Sequence, residues 1–406
     1  MLSKPIAAIA KRVSSGLTPL RSNPEFWLNG TIPWLKTEQL GEKFIYSTTE
    51  KISEAALTKT SIKVFPPNTL SIAMYGEGKT RGNVSIIKKE MATNQACCNV
   101  ELDPEIADFE YIYYFLKTQY DELRNLSSGV RKNLNSADIK NFVVRLPREL
   151  TNQRKVAAAL SALDAKIDCN NRINAELEAM AKTLYDYWFV QFDFPDASGK
   201  SYKSSGGKMV YNATLKREIP EGWQDKQLCQ IANITMGTSP TGNSLNAFGD
   251  GIEFFQGSTD FGWQFPTVRQ YTTQPVRMAK RGDILLSVRA PVGDLNVAHI
   301  DCCIGRGLAA LNSKDGFDGF LFYVMQYFKT VFDRRNSEGT TFGSITKDDL
   351  HSLPLACPTP DLLRKYNDVV SGYNQMVFTR SMENQQLAQL RDWLLPLLMN
   401  GQVTVA

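Results

Sequence analysis

Two histidines in 406 residues, His299 and His351, leave this chain short of the commonest general base and metal ligand. Neither has a ligand partner at metal spacing, and neither belongs to a recognisable Ser/His/acid arrangement. The seven cysteines are odd in number, include the adjacent pairs Cys97-Cys98 and Cys302-Cys303, and contain no C-x-x-C. That argues against a disulfide framework and a zinc site, and predicts reduced thiols in a cytoplasmic protein. No apolar run reaches the roughly 20 residues a membrane-spanning helix needs. Ile6-Ala-Ala-Ile-Ala10 is too short and too poorly flanked for a signal peptide. Also missing are an Asn/Asp-Pro-Pro-aromatic methyltransferase motif and the glycine-rich cofactor loop that accompanies it. The Pro-Asp dipeptides at Pro195 and Pro360 lack the downstream acid-x-Lys of a restriction-type nuclease. A net charge of +4 permits an anionic partner without demanding one.

What is present is helical periodicity of unusual length. Alternating four-three spacing from Val156 runs through Leu160, Leu163, Ile167, Asn170, Asn174, Leu177, Ala181, Leu184 and Trp188. The same spacing from Tyr366 runs through Val370, Tyr373, Val377, Arg380, Asn384, Leu387, Arg391, Leu394 and Leu398. Both seams are apolar at their ends and polar at the centre, and the interruptions match at a constant offset. This predicts two long helices, over 150–192 and from 361 into a tail ending at 406, packed on each other. Leu163, Ile167, Leu177, Leu184 and Trp188 would face Tyr373, Val377, Leu387 and Leu394, with the polar patch fixing register at some cost in stability.

The stretches preceding the helices are alike. Ile6–Ala10 with Gly16-x-x-Pro19 recurs as Leu228–Ala232 with Gly237-x-x-Pro240. Ile32–Lys36 recurs as Ile252–Gln256, Pro67–Leu70 as Arg281–Ile284, and Tyr111–Phe115 as Phe320–Val324. Gly129–Pro147 recurs as Gly339–Pro358, matching Asp138-Ile139 to Asp349-Leu350. The chain is therefore read as a tandem duplication of class α/β (α+β). A domain over 1–149 is followed by the helix 150–192 and a Ser/Gly/Lys-rich linker over 193–222. A second domain over 223–360 is followed by the distal helix. Short strands are expected at Thr31–Lys36, Thr69–Ala73, Asn83–Ile87 and Phe142–Val144, with an aromatic helix from Asp108 to Arg124.

Ala73-Met-Tyr-Gly-Glu-Gly78-Lys79-Thr80 fits a relaxed phosphate-loop pattern, but Arg81–Ile87 reads as turn then strand. A nucleotide loop must open a helix whose amides cradle the phosphates, so this one is not expected to bind nucleotide. The remaining candidates are basic and polar residues beside glycine turns in matching places. They are Lys36, Tyr75, Lys79, Thr80, Arg81, Asn83, Arg131, Lys132 and Asn133 in the first half. In the second they are Gln256, Arg289, Arg306, Thr340, Thr341 and Phe342. Arg and Lys bind phosphate or guanine, Asn and Gln pair with adenine, and an aromatic can touch a thymine methyl. An enzyme with an unrecognised catalytic motif and a helical protein-binding scaffold stay open on these residues alone.

Met74–Gly82, the Asn171-Arg-Ile-Asn174…Leu184 helix ending in Tyr187-Trp188-Phe189, Gly206–Val210…Ile219-Pro-Glu-Gly-Trp223, and Leu395–Gly401 resemble a known family. It is the specificity subunit of type I restriction–modification enzymes, and the resemblance covers essentially the whole chain. It departs where the first repeat lacks a counterpart of Ile219–Trp223. The resemblance implies two target recognition domains, each reading half of a split double-stranded DNA site, with antiparallel coiled-coil helices setting the gap. It also implies two modification (methyltransferase) subunits and restriction subunits as partners. AdoMet, ATP and Mg2+ are then expected in those partners, none in this chain, which has no catalytic residues of its own.

Overall fold

The computed structural model describes residues 1–76, 78–126, 133–337 and 344–405, with the main chain alone for 333–337. The chain divides into two units, Met1–Asp168 with Gln385–Ala406, and Cys169–Asn384.

Period-two alternation organises the first unit. A sheet runs in the order Ala10–Ser15, Cys97–Leu102, Leu70–Ala73, Val84–Ile87, Phe44–Ile45. A second runs Glu50–Ile52, Ile32–Leu35, Met91–Thr93, Val64–Phe65. Leu70, Ile72, Val84 and Ile86 point to one side, into a core with Tyr111 to Leu116 of the helix Phe109–Thr118. Ala73 and Ile87 point to the other, between the sheets with Leu35, Phe65 and Met91. Strands covered on both faces are apolar throughout, which is why Val84 to Ile87 is buried along its whole length.

The second unit repeats this plan. Its sheets run Ala232–Met236, Leu308–Ser313, Ile284–Ser287, Leu295–Val297, and Leu245–Asn246, Gln270–Thr272, Ile252–Phe255, Cys302–Ile304, Met278–Ala279. Ile284, Leu286 and Leu311 face the helix Asp318–Ser337, while Leu285 and Ala310 face Phe255 and Ile304. Each unit has a parallel strand pair in the same place, Ile32–Leu35 with Met91–Thr93 and Ile252–Phe255 with Cys302–Ile304, and the first unit adds Phe44–Ile45 with Val84–Ile87. An outer ladder closes each unit, Leu2–Pro5 on Val143–Leu146 and Gln224–Gln227 on Pro354–Cys357. The matched Asp138 and Asp349 prove to be capping-box residues, with Asn135 and Thr346 as the N-caps of two short helices.

The long helices span Leu150–Tyr185, continued by a wider turn Asp186–Val190, and Pro360–Met399. In the first unit Val156 and Leu160 share a core with Leu398 and Met399, edged by Leu394, and Arg391 pairs with Asp164 at 3.0 Å. In the second, Leu177 packs with Val377, edged by Tyr373, and the Tyr366 hydroxyl donates to the Ala181 carbonyl at 3.3 Å. Within each unit the later part of one helix meets the earlier part of the other, so the pair is antiparallel. The seam positions Leu163, Ile167, Leu184, Trp188 and Leu387 are half-buried. The polar centre is a hydrogen-bonded layer. Asn170 Nδ2 donates to Glu383 Oε2 at 2.7 Å and to Asn384 Oδ1 at 2.9 Å. Asn384 Nδ2 donates to Asn171 Oδ1 at 2.8 Å, and Asn174 Nδ2 to Ser381 Oγ at 3.2 Å.

Three local features differ from the sequence reading. The aromatic helix is broken at Gln119 into Phe109–Thr118 and Tyr120–Asn125, a redirection that lets Leu123 reach the core beyond Leu116. Regular α-helix stops at Tyr185, and Phe192 adopts a left-handed φ of 67°. The stretch 193–222 is itself structured: Phe194 stacks on Tyr202 and Trp223, and Met209–Asn212 pairs with Arg217–Pro220. Its Ser, Gly and Lys content conceals the aromatic contacts and the Asp193 and Asp196 carboxylates that anchor its turns.

Candidate nucleic-acid interface

Two glycines bring the candidate residues together. A Cβ on Gly16 would lie 2.2 Å from the Thr93 carbonyl oxygen, and one on Gly237 would lie 2.2 Å from that of Gly305. Only glycine allows so close a crossing of two backbones. The crossing is then locked by matching bonds. Gly16 N donates to Cys97 O at 3.1 Å and Leu17 N to Thr93 O at 2.9 Å. Gly237 N donates to Leu308 O at 2.9 Å and Thr238 N to Ile304 O at 3.0 Å.

The neighbouring loops repeat the pattern bond for bond. Asn94 N donates to Leu35 O, as Gly305 N does to Phe255 O, at 2.9 and 2.8 Å. Met74 N donates to Ala96 O, as Val288 N does to Gly307 O, at 2.8 and 2.9 Å. Leu134 N donates to Met74 O, as Ile345 N does to Val288 O, at 3.1 and 2.8 Å. These bonds make Lys36 the counterpart of Gln256, Tyr75 of Arg289, Gln95 of Arg306 and Asn133 of Ser344. Each unit thus gathers at one rim of its sheets a strand-end residue, a residue of the hairpin connection and a residue of the turn before the central strand.

Of the residues singled out in the sequence, Lys36, Tyr75 and Asn133 share the first rim, and Gln256, Arg289 and Arg306 share the second. Lys79, Thr80 and Arg81 lie on the connection between Leu70–Ala73 and Val84–Ile87. A strand and not a helix follows that connection, so no helix N-terminus is offered to a nucleotide phosphate. Tyr120 Oη donates to the Lys79 carbonyl at 2.6 Å and Arg124 Nη2 to that of Gly78 at 2.8 Å, propping the connection from behind. The Asn83 amide is turned inward, donating to Leu40 O at 3.1 Å. Arg131, Lys132, Thr340, Thr341 and Phe342 lie outside the described residues.

The charges on the two rims are set differently. Lys36 Nζ pairs with Glu38 at 2.5 Å and Glu50 at 2.7 Å, and Glu50 also holds Arg21 at 2.5 Å. Bonds to Glu38 and then Glu50 hold the Lys36 ammonium above its ordinary range. Bonds from Arg21 and then Lys36 hold the Glu50 carboxyl below its ordinary range. In the second unit Ser239 bridges the Gln256 carboxamide, at 3.1 Å from Nε2, and the Arg306 backbone amide, at 3.3 Å. Thr18, Ser239's counterpart in Gly16-x-x-Pro19, donates its hydroxyl to Gln95 Oε1.

Gln95, Thr18 and Ser239 were not singled out in the sequence, where the two adjacent cysteine pairs fall on strands that are not counterparts. Cys97-Cys98 opens the central strand Cys97–Leu102, whose counterpart begins at Leu308. Cys302-Cys303 lies instead in the counterpart of Met91–Thr93. The match between Asn94-Gln95-Ala96 and Gly305-Arg306-Gly307 is carried only by a small-residue turn between two apolar strands. Among the described residues no group of three or more His, Cys, Asp or Glu is placed to hold a metal ion. No described helix is long and apolar enough to cross a membrane.

Residues 6–179 and 220–362 match the family model of the type I restriction modification DNA specificity domain. The chain belongs to this family. It is 25% identical over 413 residues to the MjaIX specificity subunit of Methanocaldococcus jannaschii, covering 97% of this chain and 91% of that protein. The specificity subunit assigned to MjaX in the same organism is 30% identical over 305 residues, 73% of this chain and 68% of that one. The crystal structure of a type I S subunit from M. genitalium shares the fold, with TM-score 0.64 at 17% identity over 98% of this chain and 95% of that one. The chain is accordingly a DNA specificity subunit, non-catalytic by itself, that works within a type I restriction–modification complex. Two copies of one α/β recognition domain, joined by two long helices packed on each other, are the architecture of this specificity subunit.

Proposed function

We propose that each unit reads one half of a bipartite double-stranded DNA target through its rim of loops. The recognition domains would span 1–149 and 223–360, and the antiparallel helices would hold the two halves at a fixed unspecified gap. The observation that carries this reading is the bond-for-bond repetition of the two rims. Matching scaffolds present different side chains, Lys36, Tyr75, Gln95 and Asn133 against Gln256, Arg289, Arg306 and Ser344, as two readers of different sequences would. In this reading two modification subunits and restriction subunits assemble on the chain in the cytoplasm. AdoMet, ATP and Mg2+ belong to those partners, which methylate adenine and cleave unmodified DNA.

The test assembles the chain with its modification subunit and sequences the adenines it methylates. The wild-type complex is expected to mark one bipartite motif. Tyr75→Ala should relax only one half of it, and Arg289→Ala only the other. A substitution in one unit that changes preference in both halves overturns the modular reading.

A further inference from the structure

The two rims differ most informatively at the turn before the central strand, where Gln95 and Arg306 are counterparts. Both residues are exposed. Lys36 is held by Glu38 and Glu50, and Gln256 by Ser239. The turn residues are also pre-positioned by the Gly-x-x-Pro loops, Gln95 through the Thr18 hydroxyl and Arg306 through the Ser239 hydroxyl on its backbone. The flanking residues are small, Ala96 beside Gln95 and Gly305 and Gly307 on either side of Arg306. A Cβ on Gly307 would lie 2.6 Å from the Gln256 carbonyl oxygen, so that flank must stay bare. Gln and Arg are the side chains that read purines through paired hydrogen bonds in the major groove, Gln on adenine N6 and N7, Arg on guanine O6 and N7.

We propose that Gln95 and Arg306 are paired specificity residues, reading corresponding positions of the two half-sites, adenine by Gln95 and guanine by Arg306. This assignment rests on the rims facing DNA. It adds which residue in each rim discriminates, and between which bases. Because the two residues occupy one structural position, exchanging them exchanges the base read.

The test is selection from a randomised duplex library by the full chain assembled with its modification subunit, a readout that needs no methylation. Gln95→Arg is expected to change one position of one half-site from adenine to guanine, by tenfold or more in relative enrichment. Arg306→Gln should make the opposite change in the other half only. Gln95→Ala and Arg306→Ala should lose preference at those same positions. Unchanged preferences, uniform weakening of all sequences, or changes in both halves from one substitution overturn the assignment. If an exchange variant enriches nothing, its alanine counterpart decides, and an alanine variant with wild-type preferences overturns the assignment too. A wild-type complex that enriches no bipartite sequence would overturn the DNA-reading rims themselves, a distinguishable result.

Discussion

Lys36 and Lys79 carry the same charge under different constraints. Lys36 is three-quarters covered and shares its charge with Glu38 and Glu50, whereas Lys79 lies exposed on the propped connection. A phosphate contact made by a protein cation releases about one counterion from DNA. Lys79→Ala is therefore expected to reduce the slope of log affinity against log salt by about one, and Lys36→Ala by clearly less, in titrations of the assembled complex. The purified chain should hydrolyse no ATP above background whether residue 79 is lysine or alanine. An intrinsic ATPase lost in Lys79→Ala would contradict the strand that follows this loop. The cysteines offer a check on the core. Burial pushes Cys97 and Cys302 up to about 12 and Cys98 up to about 11, so thiolate is scarce near neutrality. Mass spectrometry after brief alkylation at about pH 8 should find Cys169 and Cys229 modified first. The four cysteines of the adjacent pairs should react only on unfolding.

At the scale of elements, the polar layer between the helices distinguishes two kinds of asparagine. Asn170 supplies a hydrogen bond to Glu383 and another to Asn384, while Asn174 donates only to Ser381 and buries its Oδ1 without a hydrogen-bond partner. Removing Asn170 leaves the half-buried Glu383 carboxylate and the Asn384 carboxamide each with one hydrogen bond fewer, so Asn170→Leu should destabilise the chain by about 1–3 kcal/mol in chemical denaturation. Asn174→Leu removes an unsatisfied atom and should be neutral or stabilising. Equal losses for the two would mean the layer acts through packing alone. The layer was legible because Asn at a seam position breaks an apolar pattern. The break at Gln119 was not, because aromatic residues continue across it and only the position of the core tells where the helix must turn.

For the whole molecule, the duplicated helices invite a measurement of the gap. Four residues inserted after Asn171, matched by four after Glu383, add roughly 6 Å of rise and about 40° of rotation. DNA advances about 3.4 Å per base pair and turns once in about 10–10.5 pairs, so the rotation corresponds to about one pair and the rise to nearly two. The expected methylome keeps both half-site sequences and lengthens the gap between them by one or two base pairs. A folded, active variant with the original gap would show that the helices do not set it.

The sequence by itself determined the elements and their duplication. Seam periodicity, polar interruptions, Gly-x-x-Pro turns and capping residues are local patterns, dictated by helix and strand geometry wherever the chain folds. The absence of recognisable catalytic motifs was equally local. What tertiary structure decided was which residues meet. Lys43 binds Glu110, Tyr114 and Ser161 at 2.8–2.9 Å, while Asp164 takes Arg391, a cluster drawn from four separate stretches. Its strand-edge counterpart is Gln264: Ile86 N donates to Lys43 O and Val297 N to Gln264 O, both at 2.8 Å. No spacing rule links Asn83 to Leu40, or Thr18 to Gln95, because the loops between them are crossed by sheet pairing and not by chain connectivity. Side-chain roles at the rims depend on these crossings, and so the strand pattern was readable in one dimension while the pairing of Gln95 with Arg306 needed three.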